Sequence, residues 1–329
     1  VADRPPPGLK SIHTLREDRA RGRYSRPTTT LLLVAVVGVS LTLIAYNLFA
    51  TRSLESRRSA LLEKQRAVQM TVGVEWDSLR DRLEGAIVGA AGPYAGDVVD
   101  RSSLVGDFRN RPGLYLRMRL EDAHSTESLR AATEQSQRDG FAACFLHDNS
   151  PSVADAGLFG EQPWNLRRAY DSTKILTPHW IDDVKATDDD LRMRAFEKQY
   201  DQAVQNDIPL AVRIVKQAEY LLLVLDEDGE GGGAAGAAAS AAADGGLLTD
   251  KLVQATPHEA RVELIDLKSA RRSDARELGA LFRLRRNAES SYVMASESAD
   301  LSPEMKLALQ RQVNNCALAN EVTRALASK

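Results

Sequence analysis

The stretch "EYLLLVLDED", residues 219–228, decides the fold. Its apolar run from Tyr220 to Leu225 is short and has no polar face, so it predicts a central strand buried on both sides. Downstream, "EARVELIDLKS" (259–269) and "GALFRLRRN" (279–287) alternate apolar and polar residues and predict two more strands. The three form a meander whose first loop is lengthened by the low-complexity run "GEGGGAAGAAASAAADGG" (229–246). Loop-closure entropy grows slowly with length, so such an insertion costs little.

Upstream of the central strand, "IPLAVRIVKQA" (208–218) predicts a helix with Pro209 in its first turn. "TDDDLRMRAFEKQYDQAVQ" (187–205) predicts another, capped by Thr187 or Asp188, with its acids at the positive end of the helix dipole. Further back, "GLYLRMRLE" (113–121) reads as a half-exposed strand. "STESLRAATEQSQRDG" (125–140) reads as a helix with a Ser/Thr start and a Gly stop, and "FAACFLHD" (141–148) as a buried strand. The span 149–187 is irregular, with Trp164, Tyr170 and Trp180 covering part of the core. At the far end, "LSPEMKLALQRQVNNCALANEVTRAL" (301–326) predicts a long amphipathic helix capped by Ser302, with Pro303 at its first position. The expected fold class is therefore α/β (α+β), one mixed sheet of about five strands with helices packed on it. The β-α-β-α-β-β-α subset resembles the element order of a thioredoxin-like domain. No C-x-x-C is present, so the likeness carries no redox chemistry.

The N-terminal quarter is built differently. "RPTTTLLLVAVVGVSLTLIAYNLFATR" (26–52) holds no charge between its arginines. About 20 apolar residues span a bilayer core at about 1.5 Å each, so residues 28–50 predict an uncleaved transmembrane helix. A signal peptide has a shorter apolar core and a small-x-small cleavage site, which "NLFATRS" does not offer. A basic tail, residues 1–27, precedes the helix and reads as disordered. Arginines flank the span on both sides, Arg16 to Arg26 before it and Arg52 to Arg66 after it, so charge alone leaves its direction nearly tied. Large C-terminal domains translocate regardless of charge. The expected topology places the N-terminus in the cytoplasm and the domain outside it, in the periplasm of a bacterium. Residues 51–92 predict a juxtamembrane amphipathic helix ended by Gly89, Gly92 and Pro93. Its stripe, Leu54, Leu61 and Val68, then Val72, Leu79, Leu83 and Ile87, shifts phase after Val68. It serves either a helix packed on its own domain or a homodimer through residues 54–87. The rest, 93–329, is the α/β domain.

Composition excludes several functions. Among 329 residues, 27% are charged with a net charge of −3, so no basic field favours nucleic acid. Aromatics are 5%, leaving few stacking platforms. The five histidines lack metal-site spacing, and no phosphate-loop, dinucleotide or nucleophile-elbow motif occurs, so neither metal nor cofactor is expected. The weak binding candidates are His147 and Asp148, at the exit of the strand expected at 141–148, with Trp164 and Trp180 nearby. Arg117 and Arg119 share a strand face, as do Arg283 and Arg285, and each pair reads as a basic patch or a solvated outer face. Cys144 and Cys316 either close one disulfide in an oxidising compartment or act as two buried thiols. The functional expectation is a non-catalytic scaffold or accessory subunit of a cell-envelope assembly, with the bilayer and other envelope proteins as partners. A ligand-binding sensory domain and a membrane-bound enzyme are the alternatives.

Overall fold

The computed structural model describes residues 26–101, 108–136, 139–146, 163–227, 246–268, 279–289 and 302–328, with side chains of the first helix described at 32–42 and from 52 onward. Residues 1–25 of the expected tail, most of the Gly/Ala insertion, His147 and Asp148 lie outside these residues.

Ten α-helices and six strands are described: α1 Arg26–Val68, α2 Val74–Ala90, β1 Val98–Val99, β2 Gly113–Arg119, α3 Thr126–Gln135, α4 Gly140–Leu146, β3 Trp164–Asn165, α5 Arg167–Thr173, α6 Pro178–Ala186, α7 Asp190–Gln202, α8 Ile208–Gln217, β4 Tyr220–Glu227, α9 Gly246–Ala255, β5 His258–Asp266, β6 Ala280–Ala288 and α10 Pro303–Ala327. The sheet has the order β1-β6-β5-β4-β2-β3. β2 lies parallel to both β3 and β4, while β4, β5 and β6 form the antiparallel meander. β4 is central and buried at every residue.

One face of the sheet packs Leu114, Leu116, Met118, Leu221, Leu223 and Leu225 against α1, α2, α3 and α5 to α8. The other packs Tyr115, Leu222, Val224, Val262, Leu264, Phe282 and Leu284 against α4 and α10. Sheet alternation sends successive residues of β2 and β4 into opposite layers, which is why neither strand shows a polar face.

Several expectations need correction. Six strands replace about five, because β1 and β3 are two residues each and leave no alternation to read. The described part of the expected strand, 141–146, is not a strand. It is α4, whose Phe141 and Phe145, four apart, stack with ring centroids 5.4 Å apart. A short apolar run fits a buried strand and a buried helix equally, and here helical spacing wins. α7 is capped by Asp189, whose carboxylate accepts the Leu191 N–H at 3.0 Å, in place of Thr187 or Asp188. β2 is buried where half-exposure was expected, because α10 and Asp226 cover Arg117.

The stripe after Val68 also resolves. A π-helical turn, Gln69–Gly73, inserts one residue into the helix and rotates the residues after it. Trp76, Leu83, Ile87 and Ala90 then become the buried apolar residues of α2, while Val72 and Leu79 are half-buried. Together with Leu61 they join the domain's own core. Arg57 Nε donates to Glu197 at 2.9 Å and its Nη1 to Asp190, and Gln65 Nε2 donates to the Ile175 carbonyl at 3.2 Å. α1 is thus one unbroken helix whose upper part belongs to the domain. Among the described residues no helix is long and apolar enough to cross a membrane. Of the apolar run, the described side chains are 32–42, and Leu32, Leu33, Val34 and Leu41 each expose more than half their surface.

Gly113 opens β2 directly against the Tyr220 ring, where any β-carbon collides with ring atoms. Gly113→Ala is expected to lower stability by about 1–3 kcal/mol through overpacking. Its denaturant midpoint, set against that of the parent, measures this.

Candidate functional site

β3 follows β2 on one side, and the chain then returns to lay β4 on the other. Reversals of this kind, at the carboxyl ends of parallel strands, are where α/β sheets bind ligands. In this chain the place is filled by side chains. Arg117 lies two residues before the end of β2, and Asp226 lies one before the end of β4, on the same face. Arg117 Nε and Nη2 each donate to Asp226 at 2.8 Å, a bidentate pair. Arg117 Nη1 donates to Asn315 Oδ1 on α10 at 2.7 Å and to Asp139 at 3.2 Å. The Tyr115 hydroxyl donates to the same Asp139 oxygen at 2.6 Å. His258, the first residue of β5, faces Asp226 through Nε2 at 3.1 Å and the Thr256 carbonyl through Nδ1 at 2.8 Å. Nδ1 thus meets an acceptor, while Nε2 lies between the Asp226 carboxylate and Arg117 Nη2, 3.5 Å away.

The group is closed to water, with the Arg117 side chain 1% exposed and Asp226 3%. Burial alone raises a carboxyl pKa, but Arg117 and His258 outweigh it and hold Asp226 well below the usual carboxylate range. Burial likewise lowers a guanidinium, yet Asp226 and Asp139 hold Arg117 above its ordinary value. The Tyr115 phenol is pushed far up, first by burial and then by Asp139. Arg117 thus spends its donors on β4, α10 and the approach to α4, so the cluster acts as a strut joining these elements to the sheet.

A second charged group lies on the opposite face of β5 and β6. Glu227 accepts from Arg261 and Arg285, and Arg283 donates to Glu263 at 2.6 Å, while Arg286, in register with Ala260 and so on the other face, donates to Asp97 at 2.7 Å. The expected basic face at Arg283 and Arg285 is therefore neutralised by acids. Burial raises the Glu263 carboxyl pKa despite its pairing with Arg283.

The remaining candidates lie elsewhere in the fold. Arg119 pairs with Glu121 at 2.5 Å and shares no open patch with the buried Arg117. Trp164 and Trp180 are core residues. The Arg168 guanidinium lies 5.8 Å from the Trp164 ring centre, and Trp180 donates to Gln199 at 3.0 Å. Tyr170 donates to Glu84, a buried acid held at 2.7 Å through both oxygens by Arg130. Cys144 on α4 and Cys316 on α10 are joined by a disulfide with Cα atoms 5.2 Å apart, inside the usual range for a bridge. Among the described residues no group of three His, Cys, Asp or Glu is placed to hold a metal. Two cavities of about 390 and 380 Å³ flank α7 and share Ala195 and Gln199, away from the charge cluster.

Sequence reasoning missed Asp139, Asp226, His258 and Asn315. The available signal was charge of opposite sign, Arg117 and Asp226, near the ends of two apolar strands. The chain matches no family model, no curated protein and no solved structure.

Proposed function

We propose that the chain is a single-pass membrane protein whose run 28–50 anchors the α/β domain outside the cytoplasm. There the domain serves as a non-catalytic scaffold or accessory subunit of an envelope assembly. The observation that carries this reading is α1 itself. One helix, Arg26–Val68, contains the uncharged apolar run and then supplies Leu61, Arg57 and Gln65 to the domain. An anchor built into the core holds a domain at fixed height, which suits a structural subunit better than a tethered enzyme. The Cys144–Cys316 bridge supports the exported side, since disulfides persist in oxidising compartments. A thioredoxin-like element order stays in this reading only with β3 substituted for the strand expected at 141–148, which is α4, and without that family's dithiol chemistry.

A sensory domain is the second reading, favoured by the same helix. A rigid rod from bilayer to core transmits a rotation or shift in either direction, and the cavities beside α7 adjoin the place where α1 docks. Crosslinking in native membranes, followed by gentle solubilisation, tests the scaffold reading. A reproducible adduct with a second, different protein is expected. A lone monomer under every condition overturns it.

A further inference from the structure

We infer that the cavity between α6 and α7 is a binding site for a small amphipathic carboxylate, held by Arg192 over an apolar floor. The site stands on the domain's own geometry, so its failure leaves the anchor and scaffold readings untouched. The cavity holds about 390 Å³, at the lower end of the range of about 300–1,000 Å³ in which ligand pockets fall. Arg192, Ala195, Phe196 and Gln199 line it from α7, at the i, i+3, i+4 and i+7 spacing of a single helix side. Asp183, Ala186 and Thr187, at the end of α6, form the facing wall.

The walls are held in place by other contacts. The buried Trp180 ring meets Phe196 edge to face, with centroids 5.7 Å apart, and its Nε1 donates to Gln199 Oε1 at 3.0 Å. The Thr187 hydroxyl donates to the Asp183 carbonyl at 2.8 Å, and the Thr187 carbonyl accepts from Arg58 on α1. Asp183 Oδ2 faces His179 Nδ1 at 3.1 Å, and Asp190 is taken by Arg57 and Arg194.

The groups left unspent are donors. Among the described residues Arg192 makes no hydrogen bond or ion pair, in contrast to Arg194. An indole N–H can only donate, so the Trp180 bond turns the Gln199 oxygen inward and leaves both Nε2 hydrogens for a ligand. Seven residues of helical rise put Arg192 and Gln199 about 10 Å apart along α7. Ala195 and Phe196 lie between them. A carboxylate matches the guanidinium fork. An apolar body then covers Ala186, Ala195 and Phe196, and an acceptor at its far end meets the Gln199 amide.

The probe is 4-(4-methoxyphenyl)butyrate, compared with its neutral carboxamide. Both are titrated against the full chain in phosphatidylcholine nanodiscs, with empty nanodiscs subtracted. Saturable binding is expected, with the acid about tenfold or more tighter than the carboxamide, the usual worth of a hydrogen bond to a charged group. Arg192→Gln is expected to remove that preference. Ala195→Trp, which fills the cavity, is expected to weaken both probes. Lys198→Gln, in the neighbouring cavity, is expected to change neither. All three side chains are exposed, so the substitutions leave the core intact. Absence of saturable binding, or equal affinity of the parent for acid and carboxamide, overturns the site. So does a preference for the acid that survives Arg192→Gln or is lost equally in Lys198→Gln.

Discussion

Arg117→Met is expected to destabilise the domain by about 3–5 kcal/mol, because removing one partner of a buried ion pair leaves the other charge uncompensated. The uncompensated groups are Asp226 and Asp139, both nearly inaccessible. Adding Asp226→Leu to Arg117→Met is expected to recover most of the loss, since a buried pair exchanged for apolar side chains is often neutral. Urea unfolding measures both, with a shift in midpoint at constant slope marking a change in stability. A single variant within about 1 kcal/mol of the parent contradicts the strut. The sign of the pH dependence comes from Asp226. Its native pKa is depressed, so its contribution is present above the unfolded value of about 3.9 and is lost as pH falls below it. The parent is therefore expected to lose stability below about pH 4, and the Arg117→Met variant to lose less over the same range.

Removing the disulfide is the second large effect. Cys144 and Cys316 are 172 residues apart, and loop-closure entropy over that length gives about 5 kcal/mol, with measured losses for native bridges of about 2–5 kcal/mol. The bridge joins α4 to α10, the two helices that cover one face of the sheet. Reduction, or the double substitution to alanine, is expected to speed amide exchange in α4 and α10 more than in α5 to α8, which pack on the opposite face. Equal unfolding midpoints for the oxidised and reduced protein contradict this.

The parts of the fold that could be read in the sequence are those with a long period. β4, β5, β6, α7, α8 and α10 each carry enough turns or alternations to separate helix from strand. α4 does not, since seven residues rich in Phe and Ala satisfy both patterns. α5 and α6 are short and bury Tyr170 and Trp180 without a full stripe, so the irregular span hid them. The phase shift after Val68 was legible and the π turn is its cause; Trp76, three before Leu79 and seven before Leu83, lies on that shifted stripe and was passed over. The charge cluster failed for another reason. Alternation tells which face of β2 carries Arg117, but not that α10 and β4 bring Asn315 and Asp226 over it. That information lies in contacts between residues 109 and 198 positions apart.

The central claim is that α1 carries the domain across a membrane and holds it outside the cytoplasm. It is tested most directly by fusing, after Lys329, a reporter that is active only once exported, and assaying intact cells and their membrane fraction. The account predicts reporter activity that sediments with membranes and resists carbonate extraction. An inactive export reporter, paired with an active cytoplasmic reporter at the same position, contradicts it.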